Sequence, residues 1–306
     1  MRRRKCLENL ARDWQLHLFM LLPMIYIVVF AYFPMVGAQI AFRKYSARLG
    51  MWKSPWVGLD NFTRFFSSVY FGRTLGNTLI LSFYSIFATF PIPILFALCL
   101  NSLNGVRFRK VAQTITTMPY YISVVVLVGI LLQLFNSRTG LYGNLCEALT
   151  GKYPPDLFAK PGNFRHMYVW SGAWQGFGWS SIIYTAALSS VDTALHEAAQ
   201  IDGASRFQRV CHIDFPSILP TIVIMLILRT GSVMGIGFEK VYLMQNNLNL
   251  SASEVISTYV YKIGMEADIT DYSYSTAIGL FNSVANLIVI SFINMLAGRM
   301  GQTSLW

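Results

Sequence analysis

The residues of this chain that could do chemistry are few, and most sit in one polar stretch between apolar runs. Glu197-Ala198-Ala199, Asp202-Gly203-Ala204 and Ile213-Asp214-Phe215-Pro216 follow one another there. Thr193 to Asp202 is made of good helix formers, with Leu195, Ala198, Ala199 and Ile201 as apolar contacts. Asp202-Gly203 is a turn signal, because glycine accepts the positive φ at a helix C-terminus. A second short helical piece over 205–212, containing Phe207, follows. Pro216 then opens the next apolar run, where a missing N–H costs nothing. The pattern predicts a helix–glycine–helix element lying along a membrane surface.

Nothing else assembles a catalytic set. His196-Glu197 lacks the second histidine one turn on that a metalloprotease helix needs, and no G-x-x-x-x-G-K-[ST] loop is present to cradle ATP phosphates. No Asp pair or Ser/His pair lies within the apolar runs. The four cysteines, Cys6, Cys99, Cys146 and Cys211, are scattered without metal spacing. No catalytic residue, metal ligand or cofactor is expected in this chain.

Composition says what carries the docking element. The chain is 54% hydrophobic and 12% charged, against about 25% charged in soluble domains. Its mean hydropathy is +0.47. Charge-free runs cover Trp14–Phe42, Thr74–Val106, Val111–Ser137, Met167–Val191 and Tyr272–Gly298, and Phe215–Phe238 is interrupted only by Arg229. A bilayer core of roughly 30 Å needs about 20 apolar residues. The expectation is an all-α integral membrane protein with six transmembrane helices near 16–36, 77–100, 115–135, 168–190, 217–236 and 274–296. The first is expected to be an uncleaved span rather than a signal peptide, since its apolar run is long and no small-residue cleavage site follows.

The net charge of +10 does not point to nucleic acid, because no basic stripe with interleaved aromatics exists to carry it. Arg2, Arg3, Arg4 and Lys5 precede the first span, and Arg107, Arg109 and Lys110 follow the second. Lys and Arg are nearly even across the two sides, but the shorter loops hold them more densely. That places both termini in the cytoplasm of a bacterial plasma-membrane protein. The chain divides into 1–73 (N-terminal segment, first span and an aromatic outer segment), a core over 74–296 containing the loop 192–216, and a tail over 297–306.

Within the spans, polar residues mark the interior. The outer segment 39–73 is rich in aromatics, among them Trp52, Trp56, Phe65 and Tyr70. They suit an interfacial belt or contact with an external partner. Phe33-Pro34 reads as the exit of the first span, and Pro91 and Pro93 as a kink in the second that needs bundle neighbours. Trp174 and Gln175 lie among Gly and Ser residues that permit close helix approach. Asn282 and Asn286 belong to a polar stripe that begins at Tyr272. The stripe suits either interhelical hydrogen bonding or the wall of a path for a hydroxylated solute. Arg229 lies roughly two-thirds of the way across at about 1.5 Å per residue. It could line a path, snorkel outward or pair with a partner chain.

The loop resembles the cytoplasmic motif of binding-protein-dependent ABC importer permeases: E-A-A, three residues, G, nine residues, I-x-L-P. Glu197-Ala198-Ala199, Gly203 and Ile213-Asp214-Phe215-Pro216 match its spacing, with Phe215 in place of Leu. Asp202-Gly203-Ala204 resembles the carbohydrate branch. Tyr32-Phe33-Pro34-Met35, Trp56-Val57-Gly58-Leu59, Met118-Pro119-Tyr120-Tyr121-Ile122-Ser123 and Gly237-Phe238-Glu239-Lys240 are similar to LplB-type oligosaccharide permeases. The resemblance implies the type I importer permease fold with a coupling helix. It also implies a second homologous permease and two copies of a cytoplasmic ABC ATPase that binds ATP and Mg. An extracellular solute-binding lipoprotein and an oligosaccharide cargo complete what it implies. Peptide import, or a sensor that uses the same docking loop, is the alternative.

Overall fold

The computed structural model describes residues 14–103, 105–231 and 233–299. The basic cluster at 2–5, Cys6 and the end of the expected tail lie outside them. Regular structure is helical, and the β pairing among the described residues is one isolated bridge, Arg43 to Trp56. The chain folds as two units. One holds the chain up to Ser67 together with Ile263–Leu280; the other holds Ser68–Lys262 and the chain from Phe281 onward.

The first unit begins with helix α1 (Trp14–Phe42). The expected exit at Pro34 is not an exit: the helix runs through it. Its turn widens to π geometry over Val28–Tyr32, and the Phe33 N–H reaches the Val28 carbonyl five residues back. A proline would otherwise strip one hydrogen bond and strike the preceding turn; a single wide turn absorbs the misfit. After α1, helix α2 (Asp60–Phe66) buries Phe65, whose ring meets Tyr274 edge-on at 6.3 Å. Arg64 stacks 4.1 Å over Tyr274 and bonds Asp271 at 2.6 Å. The aromatic segment is therefore partly core, while Trp52 and Trp56 stay exposed.

The second unit is a helical bundle. Helix α3 (Val69–Asn101) continues through Phe90, where Pro91 and Pro93 start its second half. The expected third span is not one straight helix. It is split into α4 (Val106–Tyr121) and α5 (Val124–Leu134), bent by 94°. Pro119 tightens the end of α4, and Ser123 caps α5 by accepting from the Val126 N–H. Helix α6 (Pro161–Leu188) begins earlier than expected, at a proline in the first turn. Helix α7 (Thr193–Ile201) and helix α8 (Arg206–Thr230) follow. The expected fifth span ends early at Thr230; glycine-rich chain then leads to α9 (Phe238–Met244). The last helix is α10 (Tyr272–Arg299).

Among the described residues, four helices (α1, α3, α8 and α10) are long and apolar enough to cross a membrane, five if the bent pair counts as one span. The expected fourth span, near 168–190, corresponds to α6, which has the length at 28 residues but many small and polar side chains. Its position explains this. Helix α6 packs against α3, α4, α8 and α9, and it buries Ser171, Ala173, Gly178 and Ser181. Two apolar clusters hold it. Phe164 and Val169 join Leu81, Leu127 and Val128; Tyr184 and Leu188 join Ile94, Ala97, Ile218 and Ile222.

Gly178 sets the closest crossing. A Cβ there would lie 2.1 Å from the Thr116 carbonyl of α4, and Gln113 donates to the Gly178 carbonyl at 2.9 Å. Replacing Gly178 by Ala should cost about 1–3 kcal/mol through overpacking. A thermal-unfolding comparison of the purified protein checks it; an unchanged midpoint would contradict this packing.

Candidate functional site

The helix–glycine–helix element is built as the sequence pattern suggests, with one change. Asp192 caps α7 by accepting from the Ala194 N–H at 2.9 Å. Gly203, at φ +78°, ends it. The Gly203 N–H reaches the Gln200 carbonyl at 3.1 Å and the Ala204 N–H the Ala199 carbonyl at 2.8 Å. That is a Schellman turn, and its left-handed residue favours glycine. Ser205 and Gln208 then form a reciprocal capping box.

The change comes next. The second piece, expected as a separate short helix, is the first turn of α8 itself. Its turn widens over Val210–Asp214, and the Phe215 N–H bonds the Val210 carbonyl. This is the device seen before Pro34, here two residues before another proline, Pro216. Phe207 and the membrane run therefore belong to one continuous helix.

Asp214 locks this arrangement. It is 2% exposed. Its Oδ1 is 3.2 Å from His196 Nε2 of α7 and accepts from Asn101 Nδ2 of α3 at 3.1 Å. One carboxylate of α8 thus ties α7 to the end of α3. The sequence reading treated Asp214 as the variable position of the motif and His196 only as part of a rejected metal motif. The available signal was a lone carboxylate at the head of an apolar run, which demands a partner. Outward from this lock, Leu195, Ile201 and Phe207 are 52%, 86% and 76% exposed. Ala198, Asp202 and Glu197 are exposed beside them, and Ala199 and Ala204 are half-buried. Glu197 also borders a cavity of about 430 Å³ lined by Arg109, Arg206 and Arg209.

The middle of α3 and the C-terminal end of α8 line a second site. Two cavities of about 300 and about 280 Å³ share Thr89, Gly172 and Arg229. Arg229 donates to Thr89 Oγ1 at 3.2 Å. Ser82, Ser85, Gln175 and Lys240 complete the polar wall of the second cavity. Lys240 is a residue that sequence reasoning missed as a wall cation, because it lies in a segment assigned as outer loop.

The other expected path residues divide. Gln175 lines the cavity and donates to the Ile122 carbonyl at 2.8 Å, at the break between α4 and α5. Trp174 is half-exposed and is not part of either wall. Asn282 donates to the Met234 carbonyl at 3.2 Å. Asn286 donates to Gly231 at 2.6 Å and accepts from the Met234 N–H at 3.3 Å. Both asparagines thus hold the non-helical chain after α8, whose backbone needs partners at membrane depth.

Comparison with known proteins decides the family. Residues 89–302 match the model of the binding-protein-dependent transport system inner membrane component. The chain belongs to this family. The permease is 41% identical to protein LplB of Bacillus subtilis, covering 97% of this chain and 92% of LplB. It is 38% identical to the polygalacturonan/rhamnogalacturonan transport system permease protein YteP of the same bacterium, covering 100% and 94%. A crystal structure of a bacterial ABC transporter that imports the acidic polysaccharide alginate contains a chain that superposes with a TM-score of 0.88 at 35% identity, covering 96% of this permease and 99% of that chain. A second such structure holds an alginate pentasaccharide-bound periplasmic protein. The permease is a multi-pass membrane protein of type I importer fold.

Removing the His196 imidazole should loosen α7. In His196→Ala, amide exchange over Thr193–Ile201 is expected to rise about tenfold, the equivalent of about 1.4 kcal/mol for a lost bond to a charged group. Hydrogen-exchange mass spectrometry reads this directly; unchanged protection would show that the Asp214 lock does not hold α7.

Proposed function

We propose that this chain is one of two permease subunits of an ATP-driven importer that passes oligosaccharides from an extracellular binding lipoprotein into the cytoplasm. The observation that carries the reading is the Asp214 lock. It joins an exposed docking helix to α3 and α8, and those two helices meet again about 20 Å away, at about 1.5 Å per residue, where Arg229 bonds Thr89 beside the cavity. A push on α7 therefore has a rigid route to the cavity wall. A two-state change transmitted through packed helices is what coupling between distant sites requires.

In this reading Glu197, Ala198, Ala199, Asp202, Gly203, Ala204, Phe207 and Pro216 form the element received by a groove on a separate ATPase. That partner, present in two copies, binds ATP and Mg; this chain is not itself catalytic. Exposed Ile201 and Phe207 supply apolar contact area, and Glu197 supplies the charge. Both termini are placed in the cytoplasm, and α6 provides the sixth crossing. The polysaccharides named for YteP and the alginate transporter support a sugar cargo. The hydroxyls and amide of Ser82, Ser85, Thr89 and Gln175 suit sugar hydroxyls. The family's binding-protein dependence and the periplasmic protein bound to the solved alginate transporter support the external partner.

The test is uptake by proteoliposomes holding both permeases, the ATPase and the loaded binding protein. Glu197→Lys should lower uptake at least tenfold by placing an uncompensated charge in the docking contact, while the two permeases still co-purify. Wild-type uptake by that variant would overturn the docking assignment.

A further inference from the structure

The cavity beside Arg229 carries more positive charge than a neutral cargo needs. Arg229 borders both cavities, and Lys240 borders the second. Among the described residues of the two walls there is no Asp or Glu. Lys240 is only 8% exposed. Its ammonium donates to the Tyr168 carbonyl at 2.9 Å and lies 4.9 Å from the Tyr168 ring centroid. Those contacts orient the ammonium without neutralising it. Gly172 makes room for it: a Cβ there would stand 3.2 Å from Lys240 Nζ. Two cations bordering one polar volume repel each other, and an ammonium as buried as that of Lys240 is costly to keep without an anion.

We propose that this path selects oligosaccharides that bear carboxylates, with Arg229 and Lys240 as the groups that recognise the passing anion. The proposal rests on the importer reading above and adds the charge of its cargo. The guanidinium can hold a carboxylate through two parallel N–H bonds. The ammonium adds a point charge on the same wall, and Ser85 with the acceptor oxygens of Ser82 and Gln175 is left for the ring hydroxyls. A neutral sugar satisfies only the second set.

The experiment uses the whole reconstituted complex. Tetragalacturonate and its fully methyl-esterified, neutral form are supplied on the binding protein, each at a concentration shown to saturate it. The acid should enter at least tenfold faster than the ester in the wild type, as expected where a buried charge contact is made or lost. Arg229→Gln and Lys240→Gln should each collapse that ratio towards one, and Arg229→Lys, which keeps the charge, should preserve most of it. Equal uptake of acid and ester by the wild type overturns the proposal and leaves the importer reading intact. So does an acid-to-ester ratio that survives in both Gln variants, or a collapse in Arg229→Lys as deep as in Arg229→Gln. Uptake of neither form, nor of any other sugar tried, overturns the sugar-importer reading and this proposal with it.

Discussion

In a bilayer every backbone N–H and C=O must find its partner within the protein, since no water is available to replace it. An unbroken helix meets this demand by itself. This permease breaks its helices at Ile122-Ser123 and after Thr230, and each break has to be answered from a neighbour. Gln175 answers the first by donating to the Ile122 carbonyl. Asn282, Asn286 and Ser82 answer the second by bonding Met234, Gly231 and Val233. The polar side chains of the interior are therefore first of all structural. They keep irregular backbone stable beside a cavity, where straight helices would leave no room for a solute.

Proline is handled by a different device. Pro34 and Pro216 sit within long helices, and each is preceded by a turn of π geometry ending two residues earlier. The widened turn gives the following N–H a carbonyl five residues back, so the helix continues through the proline. At Pro216 this continuity makes the start of α8, with exposed Phe207, part of the same rod that carries Arg229. The exposed start of α8 and the cavity wall then share one element, and the Asp214 lock adds α7 and α3 to it. Helix α6 completes the frame. Its glycines let α4 cross closely at Gly178 and leave space for the Lys240 ammonium at Gly172.

Much of this was legible in the chain. Apolar run length located α1, α3, α8 and α10, because burying backbone in lipid imposes a minimum length that composition reveals directly. The docking element was legible for a similar reason. The helix formers over 193–202 and the turn at Asp202-Gly203 are local signals; the Asp192 cap and the Ser205–Gln208 box, equally local, came from the structure.

What only the tertiary structure decided were the matters that depend on a partner far along the chain. Sequence spacing put Asn282 and Asn286 on one helical stripe but could not say whether the stripe faced a solute or a broken backbone. It showed Arg229 at depth but not Lys240, which reaches the same cavity from a segment that looked like outer loop. It could not see that Asp214 joins His196 and Asn101, since a buried carboxylate is defined by whatever surrounds it. Nor could it place the 94° bend between α4 and α5, where Pro119 and Ser123 offer the break and Gln175, some fifty residues further along, makes it affordable. Local propensity determines where a helix can form; the need to satisfy every polar group inside a membrane determines where it is allowed to stop.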